Sequence, residues 1–465
     1  MLFSLEGTTM IQARTLSVII LLSLALHQAI AQPVPAAANI DKAELAQQVR
    51  TEFLACWNAY KEYAWGHDEL KPLSKGFYDW DTTVSVYMTP VDAMDALTIL
   101  GFTDEAAKAR EFVARNLSFD HDIYVKNFEI TIRLLGGLLT NYQLSGDKRL
   151  LDLAGDLGER LLPVFNSQTG MPYTYVNLKT GAVRGPETNP AEIGTLLIEF
   201  GTLSKLTGKP VYYDKAKRAL VELYKRRSPI GLVGSVINVE TGAWIDSTSH
   251  ISGGIDSYYE YLLKCWRLFD DKECGEMWQT SVDAVNKYLA HDTTTGFWYS
   301  QANMFTGRRT GTHYGALDAF LPAVLALSGD LDRARRLQES SYKMWNAFGI
   351  EPEEIDYTTM KVTQGAYPLR PEIIESAYYL YYYTNDSRYL EMGRTFLDSL
   401  KHYCKTDAGY AGLTDVRTKE KKDKMESFFL AETLKYLYLL FAPRETLDLN
   451  ASVFNTEAHP VRRTW

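Results

Sequence analysis

The chain has 465 residues, of which 46% are apolar, 23% charged and 12% aromatic, enough for a large core in one big domain or two to three ordinary ones. This composition excludes a disordered or fibrous chain. A net charge of −9 and a pI near 5.5 leave no basic field, so neither a nucleic acid held through its phosphates nor an anionic membrane is an expected partner.

At the start of the chain, Arg14 precedes an apolar run from Leu16 to Leu26 that is too short to span a bilayer, and Ala29-Ile30-Ala31 offers a small-x-small cleavage site. These features predict a secretory signal peptide over residues 1–31, cut before Gln32. Glu6 is foreign to a basic leader and points to Met10 as the start. Residues 32–42, rich in Pro and Ala at their beginning, read as a linker, and residues 43–465 as one domain without a later membrane span. The expected product is exported, without a membrane partner after cleavage: periplasmic or secreted in a bacterium, lumenal in the secretory pathway of a eukaryote. Cys56, Cys265, Cys274 and Cys404 are too few for a disulfide framework, and no spacing suggests zinc. A local Cys265–Cys274 bridge and four buried thiols both stay open.

From there on, apolar residues recur at three-to-four spacing in roughly fourteen windows, the first at 43–64 and the last at 424–441. Strand-like alternation is scarce, so the domain is read as mostly α. Similar turns separate several windows: Leu144-Ser-Gly-Asp-Lys148, Leu206-Thr-Gly-Lys-Pro210, Leu268-Phe-Asp-Asp-Lys272, Leu327-Ser-Gly-Asp330 and Tyr383-Thr-Asn-Asp-Ser387. Gly or Asn suits the left-handed position that ends a helix, and Asp or Ser caps the next one. The turns return at about 55–65 residues, a period suggesting stacked helical hairpins; seven pairs suffice to close an α/α barrel with inner and outer rings.

Carboxylates recur near the start of the first helix of five of the expected hairpins. They are Glu129 with Arg133, Glu192 with Glu199, Asp256 with Glu260, Glu372 and Glu375 beside Arg370, and Glu426 and Glu432 around Phe428. Taken singly, each is an ordinary helix-face ion pair or an acid favoured by the helix dipole. Five occurrences at the same place in a repeat point instead to convergence on one rim, and to glycosidic hydrolysis, divalent-metal binding, or both.

The segments Phe128-Glu-Ile-Thr-Ile-Arg-Leu-Leu-Gly-Gly-Leu-Leu139, Asp256-Ser-Tyr-Tyr-Glu-Tyr-Leu-Leu-Lys264, Tyr367-Pro-Leu-Arg-Pro-Glu-Ile-Ile-Glu-Ser376 and Phe454-Asn-Thr-Glu-Ala-His-Pro460 closely resemble the class I α-mannosidases of glycoside hydrolase family 47. So do the stretches 63–72 and 425–441. The resemblance runs from about residue 50 to the end of the chain. It implies an (α/α)7 barrel, all-α in class. The implied activity is exo-acting, inverting, calcium-dependent hydrolysis of terminal α-1,2-linked mannose from high-mannose glycans or manno-oligosaccharides. By motif, Glu129 matches the general acid, acting through a water, Glu372 the general base and Asp256 a third catalytic carboxylate. Arg133 matches the arginine beside the acid, and Glu192 another acid of the cleft. Arg370, Phe428, Glu432 and Glu457 match the floor of the −1 sugar subsite, and Thr456 the residue that offers calcium its hydroxyl and carbonyl. A monomer is expected.

Two departures accompany the match. Gly254 stands where endoplasmic-reticulum members carry an arginine that narrows branch choice. The run Ala316-Leu-Asp-Ala-Phe-Leu-Pro322 lacks the His-Leu-x-Cys-Phe motif that some members carry in the cleft and is more similar to the degradation-enhancing mannosidase-like branch. His67 and His459 read as structural hydrogen-bonding residues and His313 as a cap or a satisfied surface group, because calcium prefers oxygen. The competing reading from another class is a protein that binds high-mannose glycans for quality control with little turnover.

Overall fold

A computed structural model describes residues 40–465; the expected signal peptide and most of the expected linker lie outside the described residues. The chain first forms α1 (Lys42–Tyr63), α2 (Met88–Asp92), α3 (Met94–Ile99) and α4 (Thr103–Asn116). Next come α5 (Asn127–Ile130), a π-helical turn at Thr131–Leu135, α6 (Gly136–Ser145) and α7 (Lys148–Leu161). They are followed by α8 (Pro190–Gly194), α9 (Leu197–Thr207), α10 (Pro210–Lys225), α11 (Asp256–Phe269) and α12 (Lys272–Tyr288). The last are α13 (Leu321–Ser328), α14 (Leu331–Phe348), α15 (Glu372–Thr384), α16 (Arg388–Tyr403) and, after a second π-helical turn at Phe429–Thr433, α17 (Leu434–Phe441).

The predicted turns end helices as their residues allow. Gly146, Gly208 and Gly329 take positive φ at the ends of α6, α9 and α13, and Asn385 does so after α15. The turn without Gly or Asn uses Asp270, at φ 56°. Asp147, Asp271 and Asp330 cap the next helix through their side chains, whereas Ser387 makes no capping bond and α10 starts on Pro210 instead.

In six of the hairpins the helix that comes first in the chain is the inner one. The helices α6, α9, α11, α13, α15 and α17 are buried almost all round at their site end, and each packs against the next. The short α2 and α3 touch the π turn before α17 and close the ring. Outer helices bury one stripe only, as in α7 with Leu150, Ala154, Leu157 and Leu161. One pairing differs from the order along the chain. The outer partner of α17 is α1, so the first and last helices form the seventh hairpin of the (α/α)7 barrel. Among the described residues no helix is long and apolar enough to cross a membrane.

Small antiparallel sheets with strands of two to four residues decorate the connections from outer to inner helices. They therefore gather at the end where the inner helices begin. From the opposite end a C-terminal hairpin, Ser452–Phe454 paired with Pro460–Arg462, enters the barrel. Gln143 near the end of α6 brackets its base, accepting from Arg462 N at 3.0 Å and donating to Arg462 O at 2.8 Å. Phe454, Asn455, Ala458, His459 and Val461 are fully buried. All four cysteines are free and buried, so of the two arrangements open from the sequence the molecule has the thiols.

Candidate active site

A cavity of about 300 Å³ opens where the inner helices begin and the C-terminal hairpin ends. Glu129, Arg133, Glu192, Asp256, Arg370, Glu372, Phe428, Glu432, Thr456 and Glu457 all line it. Of the other acids noted in the repeat, Glu260 and Glu375 also line it; Glu199 and Glu426 do not.

Glu129 stands in α5, immediately before the π turn that carries Arg133. Arg133 donates from Nε to Glu129 at 3.1 Å, makes a close contact with Glu457 and lies 3.6 Å from Asp92. Burial disfavours its charge, but Glu457, Glu129 and Asp92 outweigh burial and hold the guanidinium firmly protonated. The rings of Trp80 and Phe428 each lie 5.6 Å from it. An arginine fixed this way keeps the Glu129 carboxyl in one orientation.

Asp256 and Glu372 are the first residues of α11 and α15. Burial pushes the Asp256 carboxyl up to about 7 against the pull of the Ser257 N–H, which donates to it at 2.8 Å. Burial likewise pushes Glu372 up to about 7, partly offset by Arg370, and its Oε2 is buried without a hydrogen-bond partner among the described residues. Glu432, in the second π turn, is raised well above the usual range by burial and by Glu372. Arg370 is clamped by Glu353, at 3.2 Å from Nε and 2.5 Å from Nη2. Leu369 just before it holds a left-handed φ of 68°, and its carbonyl accepts from the Thr433 hydroxyl at 2.7 Å. Strain at a residue adjoining the site is thus held by a bond from the second π turn.

Glu192 accepts from the Thr188 hydroxyl at 2.8 Å and pairs with Lys126 at 2.9 Å. Its own N–H donates to Asn189, the cap of α8. Thr456 and Glu457 sit at the tip of the C-terminal hairpin. Asn455 shapes that tip, accepting from Glu457 N at 3.0 Å and His459 N at 2.8 Å while donating to Ile132 O and Glu199. Glu199 also accepts from the Tyr261 hydroxyl at 2.6 Å, which explains its place beneath the tip rather than in the cavity.

Gly254 has φ 91°, a conformation that a side chain adopts only with strain, and its carbonyl accepts from Ala191 N. An arginine there would need a different backbone. Leu317 and Phe320 give the cavity an apolar wall. None of the three histidines singled out from the sequence lines the cavity. His459 is buried between Asp92 at 3.1 Å and Asp95 at 2.8 Å, His67 bonds Asp79, and His313 bonds Glu354. Lys126 and Asn189 are not foreseen from the sequence, whereas Leu317 and Phe320 fall in the run 316–322 that the sequence marks only as a departure. Lys126 and Asn189 stand just upstream of predicted acids, and that closeness in sequence was their only available signal.

Comparison with known proteins agrees with this arrangement. The family model "Glycosyl hydrolase family 47" matches residues 52–463. The chain is 38% identical to alpha-mannosidase I MNS5 of Arabidopsis thaliana over 97% of its own length and 82% of that protein. It is 39% identical to ER degradation-enhancing alpha-mannosidase-like protein 2 of Mus musculus, over 92% and 79% of the two chains. Against mannosyl-oligosaccharide 1,2-alpha-mannosidase MNS1 of A. thaliana the identity is 36%, over 91% and 79%. Its fold matches the alpha-1,2-mannosidase from Trichoderma reesei with a TM-score of 0.84 and 29% identity, covering 90% of this chain and 99% of that one. With its barrel, its carboxylate-lined cavity and these matches, the chain belongs to glycosyl hydrolase family 47 and is a glycoside hydrolase.

Proposed function

We propose that the protein is an exo-acting, inverting, calcium-dependent α-1,2-mannosidase that removes terminal mannose from high-mannose glycans or manno-oligosaccharides. The observation that carries this reading is the convergence of Glu129, Asp256 and Glu372 on one cavity from three different helices. Inverting glycosidases need two carboxyl groups about 6.5–9.5 Å apart, with a water beside the base. Separate helices around a barrel mouth suit that requirement better than neighbours on one helix.

In this mechanism Glu129, oriented by Arg133, protonates the leaving oxygen through a water. Glu372 takes the proton of the attacking water, and Asp256 is the third carboxylate at the reaction centre. Phe428 packs against the apolar face of the mannose, with Arg370, Glu432 and Glu457 beneath it.

The donor set fits calcium. Among the described residues no three His, Cys, Asp or Glu side chains are placed to hold a metal directly. Thr456 would contribute its hydroxyl and carbonyl, and Glu372, Glu432 and Glu457 would anchor waters that complete an oxygen shell. Several buried carboxylates face two guanidinium groups here, and the orphaned Glu372 oxygen suits a water held by a cation. When bound, calcium supplies positive charge to the mannose hydroxyls and favours a distorted ring. Export through residues 1–31 and a monomeric state accompany the proposal.

The experiment is proton NMR of α-1,2-mannobiose with the purified protein, in calcium and in EDTA. Release of β-mannose only with calcium is expected. Release of α-mannose, or equal rates in EDTA, would defeat the assignment. A second reading, glycan binding with little turnover, draws on the likeness to ER degradation-enhancing alpha-mannosidase-like protein 2. Calcium-dependent binding of a high-mannose glycan without cleavage would favour it.

A further inference from the structure

Beside the cavity lies a three-stranded antiparallel sheet made of Tyr124–Lys126, Tyr175–Asn177 and Val183–Arg184. Its register places Lys126 opposite Tyr175 and Tyr175 opposite Arg184; the next row is Val125, Val176 and Val183. Successive strand residues point to opposite faces, so the two rows belong to different faces. The valine row is the inner one: Val176 is fully buried and Val125 nearly so. The other face carries Lys126, Tyr175 and Arg184, with Tyr124 on the same side, 38% exposed.

This outer face is continuous with the cavity. Lys126 lines the cavity and is tied to Glu192, while Tyr124 lies two residues away from it along the same strand, a distance of about 7 Å. The Arg184 guanidinium lies 4.0 Å from the centre of the Tyr124 ring and 5.1 Å from that of Tyr175. Arg184 makes no ion pair among the described residues, so the rings fix its plane while its donors stay free. Nothing in the mechanism above uses these three side chains.

We propose that this face is a second glycan-contact surface outside the cavity. Tyr124, Tyr175 and Arg184 grip neutral sugar residues beyond those held at the cleavage point, and so favour long or branched mannosides over a disaccharide. The part of the exposed Tyr124 ring that Arg184 leaves uncovered takes the apolar C–H side of a pyranose, and the guanidinium stacked beside it donates to its hydroxyls. Mutual stacking of the three side chains in advance lowers the ordering cost of binding. The inference rests on the mannosidase reading for its substrate, but not on calcium or on the assignment of acid and base.

The test compares Tyr124→Ala and Arg184→Ala with the parent protein on α-1,2-mannobiose and on a full high-mannose oligosaccharide. The expected result is an unchanged kcat/KM on mannobiose and a loss of about tenfold on the oligosaccharide, mostly in KM. Equal losses on both substrates, or no loss on either, overturn the proposal. Oligosaccharide binding by saturation-transfer NMR separates this from failure of the mannosidase reading. If neither glycan is cleaved, binding about tenfold weaker in the variants still supports the surface, and unchanged binding overturns it.

Discussion

Glu129 and Glu372 border the same cavity with opposite partners. Glu129 is held by Arg133, whereas Glu372 has one oxygen with no hydrogen-bond partner among the described residues. The first is arranged to keep a geometry, the second to receive a ligand or a proton. Glu129→Gln keeps the size of the side chain and leaves Arg133 its contact with Glu457. Turnover should therefore fall by about 10²–10⁴-fold, the range for losing a positioned acid, while glycan binding stays within a few-fold. Single-turnover hydrolysis alongside a binding titration checks this, and substantial residual turnover would remove Glu129 from the acid role. The ten residues to which the sequence assigned a role in the site were legible because each sits in a long motif or at a repeated place in the hairpin period. Lys126 and Arg184 were not, because their importance comes from cross-strand register in strands too short to show an alternating pattern. Gly254 was legible as a departure, but its positive φ was not.

The same division holds for whole elements. Helices were readable from apolar spacing, and their hairpins from turns such as Ser145-Gly146-Asp147, where Gly146 and Asp147 fill the two positions the physics demands. Pairing of α1 with α17 was hidden, since ring closure joins segments from opposite ends of the chain and leaves no local mark. The two π-helical turns were hidden as well. One of them carries Arg133 and the other Glu432, and π turns often accompany functional sites because the extra residue re-aims a side chain. The C-terminal hairpin depends on a buried polar lattice. His459 bridges Asp92 and Asp95, and Lys435 pairs with Asp95 at 2.8 Å and donates to Ala458 O at 2.6 Å. Gly136 permits the close approach: a Cβ there would lie 2.6 Å from Asn455 Nδ2. His459→Gln breaks the bridge between two buried carboxylates and should cost about 3–5 kcal/mol. A fall in the urea midpoint measures this, accompanied by weaker glycan binding, because the hairpin tip presents Thr456 and Glu457. Unchanged stability would mean that the hairpin is held by its apolar residues alone.

For the molecule as a whole, the acids gathered at the barrel mouth make stability depend on pH in a defined direction. Unfolded Asp and Glu titrate near 4, whereas burial raises folded Asp256 and Glu372 to about 7. Between those values the folded protein binds more protons than the unfolded chain. Their contribution is complete below about pH 4 and is lost as pH rises through about 7. His459 has the same sign. Burial lowers its pKa, but Asp95 and Asp92 outweigh burial and raise it, so its contribution also fades as pH rises. Asp92, whose hydrogen bonds and charge partners hold it low in spite of burial, acts only in the acid range and leaves the interval from pH 5 to 8 unaffected. Protein treated with EDTA should therefore show a Tm that declines from pH 5 to pH 8, and the double variant Asp256→Asn, Glu372→Gln should make that decline shallower, leaving the part due to other buried acids such as Glu375 and Glu432, which burial also raises. Calcium added at pH 8 should restore Tm in the parent protein, since a divalent cation stabilises the ionised carboxylates that burial penalises, and should do so much less in the double variant. Thermal scans across this pH range decide the matter. A Tm that is flat or rises with pH in EDTA would mean that the cavity acids are solvated in the free protein, and that the barrel mouth is open to water before any ligand binds.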